Sequence, residues 1–337
     1  MTGEYLRQWL TGKRALRATT LRSYESHLRL YLQPALGSVL LADLRPHHLD
    51  AMYVDLMAGG DRERSAATIR RIHATLRSGL NTAVKRRLIP WNPALHVELP
   101  SVLRTPTTVW TGLQVGQFLD AHEGHRTYAL WHLIALVGLR RGEALGLHWS
   151  DVDLVTGMLF VRQQLVETKD GLRLGPPKTA SGERAVPLDM VMVEVLREHQ
   201  ERQTSDRRDW GAGWVERGLV FARENGDYLR PDHVTHLFAR LTAEAGLPRI
   251  RLHDLRHTSA SLALAAGVPM KVVSERLGHS STAITADLYT HVVPSVAREA
   301  ADRIAATVPL RRLHGDQHAY SAGTAQSTPA RSDRGDT

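Results

Sequence analysis

The segment Met158-Leu-Phe-Val-Arg-Gln-Gln-Leu-Val166 interrupts a chain whose other apolar residues recur mostly at helical spacing. Two shorter segments of the same texture follow it, Leu172–Leu174 and Arg184–Pro187. The stretches between them, Lys169-Asp-Gly and Thr179-Ala-Ser-Gly, are typical of turns. The three segments therefore predict one small antiparallel β-sheet within a protein that is otherwise mainly α-helical.

Helical patterns precede and follow this predicted sheet. Near the N-terminus, apolar residues recur at helical spacing after Thr20, and the pattern stops at Pro34. A second helix is predicted over about 67–88, and the chain reads as helical from Thr111 through Leu147. Later patterns predict helices over 190–203, 232–245 and 253–266, two more starting near 269 and 281, and an amphipathic piece at 296–308.

Composition excludes several classes of protein. The chain has 337 residues and no cysteine, so disulfides, iron–sulfur clusters and thiol nucleophiles are ruled out. No run of 18 uncharged apolar residues occurs, and the N-terminus lacks the apolar core of a signal peptide. We therefore expect a cytoplasmic protein with no membrane-spanning segment.

The positive charge is concentrated at the N-terminal end. The net charge is +8, and residues 1–100 hold 15 Lys and Arg against 8 Asp and Glu. In the helix predicted over 67–88, Ile69 and Ile72 belong to an apolar face, whereas Arg70, Arg77 and Lys85 lie off it. Such a basic stripe suggests contact with the phosphates of a nucleic acid. An ordinary solvated helix face is the alternative.

Four short patterns in the rest of the chain carry residues capable of chemistry. Gly138-Leu-Arg-Arg-Gly-Glu-Ala-Leu is a glycine-flanked turn that opens a helix with two arginines. Lys178 is predicted at the hairpin between the second and third strands. His253-Asp-Leu-Arg256-His257 is the third pattern, and Leu277-Gly-His279, followed ten residues later by Tyr289, is the fourth. Each alone has an ordinary structural explanation, such as a buried ion pair or a core tyrosine.

Taken in this order, the patterns resemble the active-site set of the tyrosine recombinases, the phage-integrase family. The resemblance extends to neighbouring text and covers roughly residues 1–310. It includes Trp149-Ser-Asp-Val-Asp, Pro177-Lys-Thr, His257-Thr, Leu277-Gly-His-Ser-Ser and, near the N-terminus, Thr20-Leu-Arg-Ser-Tyr, Leu32-Gln-Pro-Ala-Leu-Gly and Asn92-Pro-Ala. It implies a site-specific DNA recombinase that integrates or excises a mobile element.

The resemblance gives phosphate-binding roles to two arginines. Arg140 and Arg256 would hold the two non-bridging oxygens of the scissile phosphate, because a guanidinium donates bidentate hydrogen bonds and stays protonated. Arg140 is preferred over its neighbour because the family arginine directly follows Gly-Leu. His253, three residues before Arg256, is expected on nearly the same helix face, where it would exchange a proton with the nucleophile or steady the phosphate. His279 would add a donor. Glu143 would hold one of the arginines in place without itself contacting the phosphate.

The remaining two roles concern bond cleavage. Tyr289 would attack the phosphorus and form a 3′-phosphotyrosyl bond. Lys178 would protonate the departing 5′ oxygen, a general-acid role that suits an ammonium on a flexible hairpin. Two other tyrosines, Tyr128 and Tyr228, lack the preceding Leu-Gly-His and are interpreted as structural. No metal or nucleotide cofactor is implied.

Two other functions remain as alternatives. His253 and His257 stand at the i, i+4 spacing of a helical zinc pair, as in a metallohydrolase. However, the acid of such motifs is usually Glu, a third ligand would be needed, and Arg256 would repel the cation. The second alternative is a DNA-binding module that has lost catalysis, which a covalent protein–DNA adduct would exclude.

The expected organisation has four parts. Residues 1–98 would form a helical core-binding domain of the SAM-like type, 99–106 a linker, 107–310 the catalytic domain, and 311–337 a disordered tail. The expected partners are double-stranded DNA at attachment or core sites, three further copies in a synaptic tetramer, and an accessory bending or excision protein. Many family members carry an arm-binding domain first, whereas this sequence starts almost at the core-binding motif.

Overall fold

The computed structural model describes residues 1–59, 63–102, 108–168 and 171–289, and within them thirteen α-helices and five strands. The helices are α1 Thr2–Thr11, α2 Ala18–His27, α3 Gln33–Leu36, α4 Pro46–Ala58, α5 Ala66–Lys85, α6 Gly112–Asp120, α7 Tyr128–Val137, α8 Arg141–Leu145, α9 Met190–Trp210, α10 Pro231–Glu244, α11 Leu252–Ala265, α12 Met270–Leu277 and α13 Thr282–Tyr289. The strands are β1 Val152–Asp153, β2 Met158–Val161, β3 Gln164–Thr168, β4 Gly171–Gly175 and β5 Arg184–Pro187. The fold class predicted from the sequence is confirmed, with two sheets in place of one.

Helices α1 to α5 enclose a hydrophobic cluster of their own. The apolar face predicted for α5 is buried, and α1 lies across it. The Tyr5 hydroxyl donates to the Gly79 carbonyl at 2.8 Å, and the Trp9 indole N–H donates to Thr82 Oγ1 at 3.0 Å. Both contacts join residues more than 70 positions apart, so α1 is attached to α5 by specific hydrogen bonds as well as by burial.

A second cluster surrounds α7. This helix is buried on nearly all sides, from Ala129 to Val137, which agrees with its almost uninterrupted apolar sequence. The rings of Phe118 and Phe238 pack against each other and against both Trp110 and Trp131, with centroids 5.3–6.3 Å apart. Helix α11 packs against α7 and carries the third sequence pattern, so the core holds that pattern in place.

The prediction of a single three-stranded sheet is wrong. Strand β2 lies between β1 and β5 in one antiparallel sheet, while β3 pairs with β4 in another. The predicted strand 158–166 is thus divided between the two sheets. Its second half approaches Gly146 so closely that a Cβ there would lie 2.6 Å from the Leu165 amide nitrogen. Packing of β3 against α8 therefore draws it out of the first sheet.

The predicted helices exist with altered boundaries. The segment 111–147 contains three helices, α6 to α8, instead of one, and α7 ends at Gly138 in the left-handed conformation. Helix α5 ends at Lys85, three residues earlier than predicted. The helical pattern after Thr20 continues beyond α2 as a π-helical turn, Leu28–Leu32, before α3. Helices α1 and α4 fall within the helical domain expected over 1–98, although no bounds were predicted for either.

No helix among the described residues is long and apolar enough to cross a membrane. The described residues all belong to one compact unit, although α1 to α5 and the later elements have separate hydrophobic clusters. The boundaries at 98 and 107 remain a prediction, and the tail and the piece at 296–308 lie outside the described residues.

Candidate active site

Two turns with left-handed glycines form the framework of the site. Gly138 ends α7 with φ 76°, and Gly278 ends α12 with φ 66°. A Cβ on Gly138 would lie 2.5 Å from Leu277 Cδ2, and one on Gly278 would lie 2.8 Å from the Ser181 carbonyl oxygen. Both positions therefore combine a backbone conformation that favours glycine with a close approach that excludes a side chain.

Arg256 joins these two turns. Its Nη1 donates to the Gly138 carbonyl and its Nη2 to the Leu277 carbonyl, both at 2.5 Å, and the residue is only 2% exposed. Burial, followed by the positive charge of Arg140, lowers the pKa of Arg256 to about 9. The guanidinium therefore stays protonated at neutral pH and is held rigidly by backbone oxygens.

Arg140 reaches the same turn from the other side. It caps α8, its Nη2 donates to the Gly278 carbonyl at 2.8 Å, and its Nη1 donates to Glu143 Oε1 at 2.5 Å. The side chain remains 26% exposed. The neighbouring Arg141 points elsewhere and donates to the Pro231 carbonyl. The structure thus brings Arg140, Arg256 and Glu143 together, and it separates Arg141 from them.

Glu143 also holds an arginine that sequence reasoning did not single out. Arg184, the first residue of β5, donates from Nη2 to Glu143 Oε2 at 2.9 Å. Burial alone would raise the pKa of the Glu143 carboxyl, but Arg184 and Arg140 outweigh it and hold that pKa below its usual range. One signal was available: Arg184 shares a strand face with Val186, which is fully buried.

Three histidines surround the arginines. The rings of His253 and His257 meet edge to face with centroids 4.9 Å apart, and His257 Nδ1 is buried without a hydrogen-bond partner among the described residues. His279 Nδ1 lies 2.9 Å from the hydroxyl of Thr285. His253 stands three residues before Arg256 on α11, a spacing that keeps both on nearly one helix face, and its position is exposed whereas Arg256 is buried. The sequence placed His257 in the family resemblance and in the zinc alternative, but gave it no role in the reaction.

The electrostatic environment keeps these rings neutral. Loss of hydration, then the positive charges of His257 and Arg256, lowers the pKa of His253 to about 4. Burial, then Arg256 and Arg140, lowers the pKa of His279 to about 4 as well. The histidines therefore add hydrogen-bonding groups without adding charge near pH 7. Among the described residues, no three His, Asp or Glu side chains gather closely enough to hold a metal, so the zinc alternative lacks its third ligand.

The path of the backbone gives the positions of Lys178 and Tyr289 in the fold. Lys178 is exposed in the connection from β4 to β5, which joins different sheets, so the predicted hairpin position is wrong. It faces a cavity of about 960 Å³ that Arg17 and Arg71 also line. Tyr289 is the last residue of α13, a helix that packs against α11 and α12. The side chain of Tyr289 lies outside the described part.

The predicted basic stripe is exposed along α5. Arg77 and Lys85 line a cavity of about 420 Å³ together with Lys13, which sequence reasoning did not include. Arg70 lies apart from that cavity and donates from Nε to the Pro100 carbonyl at 2.9 Å. The three residues predicted to contact phosphates therefore divide into a pair and a single arginine.

Comparison with known proteins gives the family. The Phage integrase family model matches residues 109–295, which is more than half of the chain. This chain belongs to the phage integrase family. It is therefore a tyrosine-type site-specific recombinase, as the resemblance implied.

Curated relatives align with nearly the whole length of this chain. The chain is 28% identical over 323 residues to a tyrosine recombinase XerC-like protein of Caldanaerobacter subterraneus, covering 90% of this chain and 82% of that one. It is 24% identical to an integrase of Saccharopolyspora erythraea, over 89% of this chain and 80% of the relative. A putative prophage phiRv2 integrase of Mycobacterium tuberculosis is 25% identical over 89% of this chain and 76% of its own length.

Solved structures share the fold. The Tn1549 transposon integrase, in complex with transposon right end DNA, aligns with a TM-score of 0.76 and 22% identity over 90% of this chain and 99% of that one. A lambda integrase dimer bound to a COC′ core site aligns with a TM-score of 0.64 and 20% identity over 85% and 94%. The arrangement of helices and small sheets is thus that of the tyrosine recombinases.

The lowered pKa of His279 makes stability depend on pH. Below pH 6.5 the unfolded chain binds a proton that the folded ring binds only near pH 4, so the free energy of unfolding should fall as pH drops through this window. His279→Gln should reduce that dependence by less than one proton, or less than ~1.4 kcal/mol per pH unit, because the ring is partly exposed. Urea unfolding between pH 4.5 and 7.5 measures it. An identical slope in the variant would contradict the lowered pKa.

Proposed function

We propose that this protein breaks and rejoins DNA strands at the attachment sites of a mobile element, with Tyr289 as nucleophile. One observation carries the proposal: Arg140 and Arg256 are both anchored to the turns around Gly138 and Gly278, with His279 in the same turn region. Two fixed guanidinium groups suit the two non-bridging oxygens of a phosphodiester, whose charge increases as a fifth oxygen adds.

In the proposed cleavage, the Tyr289 phenol oxygen bonds to phosphorus and the bond from phosphorus to the 5′ oxygen breaks. The phenol proton passes to His253, whose ring is neutral at pH 7 and therefore has a nitrogen lone pair to accept it. The 5′ oxygen takes a proton from Lys178. The resulting 3′-phosphotyrosyl bond keeps the energy needed for religation, in which a 5′ hydroxyl attacks and the phenol leaves.

The nucleophile assignment draws support from α13. Thr285 is buried and bonded to His279, and Tyr289 stands four residues later, one helical turn along. This spacing favours delivery of Tyr289 to the pocket that His279 adjoins. Tyr128 is partly buried beside His132, and Tyr228 lies under the Arg217 guanidinium, which favours a packing role for both.

The partners of this reaction are also part of the proposal. Double-stranded DNA would pass between the helical part formed by α1 to α5, proposed as residues 1–98, and the catalytic part that begins near 107. Arg17, Arg71 and Lys178 line the cavity between these parts, which supports a phosphate backbone there.

Exchange between two sites would need four copies; the lambda integrase has been seen as a tetramer bound to a Holliday junction. We place the reaction on DNA in the bacterial cytoplasm and expect an accessory bending or excision protein.

Replacing Tyr289 with Phe tests the reaction itself. The variant should bind an attachment-site duplex almost as wild type does, because only a hydroxyl is lost, and it should form no covalent complex. Denaturing electrophoresis of protein incubated with labelled DNA measures the adduct. Tyr228→Phe serves as control and should keep it. A denaturant-stable adduct in the Tyr289 variant would assign the nucleophile to another residue.

Lys178 can be separated from the arginines by the leaving group. Sulfur in the 5′ bridging position leaves without protonation, so Lys178→Ala should cleave such a substrate at nearly the wild-type rate. On the normal substrate the same variant should be slower than the wild type by ~10²–10⁴-fold, which is the usual rate contribution of a general acid. Arg140→Ala should stay slow on both, because sulfur changes nothing at the non-bridging oxygens. Equal slowness of the lysine variant on both substrates would contradict the general-acid role.

The basic stripe predicts a salt effect on DNA binding. If Arg77 and Lys85 contact phosphates, replacing either with Ala should weaken binding to all sequences and reduce the slope of log K against log salt by about 0.9. Arg70→Ala is tested in parallel, because that side chain already bonds to Pro100. Arg197, exposed on α9 beside Glu194, provides the control. Unchanged slopes for all the stripe variants would restore the solvated-face interpretation.

A further inference from the structure

Arg184 connects three segments that the proposed reaction uses. Besides Glu143 on α8, its guanidinium binds the carbonyls of Arg276 at 2.6 Å and Gly182 at 2.9 Å. Arg276 lies at the end of α12, three residues before His279, and Gly182 lies in the connection that carries Lys178. The Arg184 side chain is only 7% exposed, so it meets these acceptors inside the protein rather than in solvent.

The charges around Glu143 explain why this carboxylate is paired with a second arginine in addition to Arg140. Glu143 is 1% exposed and lies against Arg140, whose positive charge it would cancel if Arg184 were missing. With Arg184 present, three guanidinium groups face one carboxylate, and the histidine rings stay neutral at pH 7. Counted over Arg140, Arg184, Arg256 and Glu143, the pocket then has two net positive charges, equal in magnitude to the two negative charges of a phosphodiester that has gained a tyrosinate oxygen.

The hydrogen bonds of the Glu143 carboxylate also link Arg184 to the orientation of Arg140. Its Oε1 accepts from the Arg140 side chain, while its Oε2 accepts from both the Arg140 amide and Arg184. Arg184 therefore fixes the rotation of the carboxylate, and the carboxylate fixes the guanidinium of Arg140. A lysine could supply the charge at this position but could not reach Glu143, Arg276 and Gly182 with one planar group.

We infer that Arg184 is a positioning residue of the reaction, which orients Arg140 through Glu143 and keeps the phosphate pocket at two net positive charges. The inference rests on the proposed function. Arg184 touches no reacting atom in this arrangement, and it acts through the residues that do. A purely structural role, in which Arg184 only ties β5 to the end of α12, predicts loss of stability with no dependence on the charge of the substrate.

The experiment compares two substrates that differ in charge. One carries a normal scissile phosphate, and the other a methylphosphonate, in which a methyl group replaces one non-bridging oxygen and removes one negative charge. Arg184→Met should slow adduct formation on the phosphate by about 10-fold to 100-fold, because the loss of an oriented supporting group costs less than the loss of a direct donor. On the methylphosphonate the variant should approach the wild-type rate, since one positive charge less is then needed.

Three further variants keep the result interpretable. Arg184→Lys restores the charge without the planar group and should recover part of the rate on the phosphate. If Arg184→Met fails to fold, Arg184→Lys and the double variant Glu143→Gln with Arg184→Met carry the test; the latter restores two positive charges by removing the carboxylate. Where Arg184→Met folds, the double variant should be faster than it on the phosphate; where it does not, the double variant should stay within about 10-fold of the wild-type rate there. Arg197→Met, at an exposed ion pair on α9, is the matched arginine control and should leave the rate unchanged.

The outcomes separate this inference from the function it rests on. If the wild type forms no adduct, the proposed function fails. If the wild type forms an adduct and a folded, DNA-binding Arg184→Met variant forms it equally fast, only the inference fails. Equal slowing on the phosphate and the methylphosphonate would also overturn it, because a structural defect is insensitive to substrate charge.

Discussion

A carboxylate removed from water must be paired, and Glu143 is almost completely removed from water. Breaking such a pair by deleting one partner typically costs 3–5 kcal/mol, so Arg140 and Arg184 are under strong constraint to stay where they are. Those two arginines belong to different parts of the chain, the start of α8 and the start of β5. Their common partner therefore fixes the sheet against the helix that begins the site, and the carbonyls of Gly278 and Arg276 extend the constraint to the end of α12.

Local periodicity was sufficient for most helices and insufficient for the sheets. Helix α5 alternates apolar and charged faces, and α7 is apolar throughout, so both are visible in the sequence. The division between β2 and β3 is not visible there, because no glycine or proline marks a break between Val161 and Gln164. What separates the strands is a close approach to Gly146, which is a long-range contact. A contact between residues this far apart in the chain cannot be predicted from the periodicity of about ten neighbouring residues.

The site was predictable to a different degree for each residue. Arg140, Arg256, Glu143 and His279 come from three separate patterns, and the structure brings them together in one pocket. Arg184 was missed because arginine is frequent in this chain, and only its strand face distinguishes it from surface residues. The roles of Lys178 and Tyr289 remain predictions, since one faces a cavity and the other ends the described chain.

The anchors of Arg140 and Arg256 are mostly backbone oxygens, from Gly138, Leu277 and Gly278. Every residue type supplies a carbonyl, so substitutions that preserve the path of the chain leave these anchors in place. The pocket can therefore tolerate extensive drift in the surrounding side chains while its shape stays the same. Its vulnerability is confined to a few points, chiefly the two glycines whose conformations set the direction of those carbonyls. A protein built this way can exchange many of its surface residues and still hold both guanidinium groups in the same place.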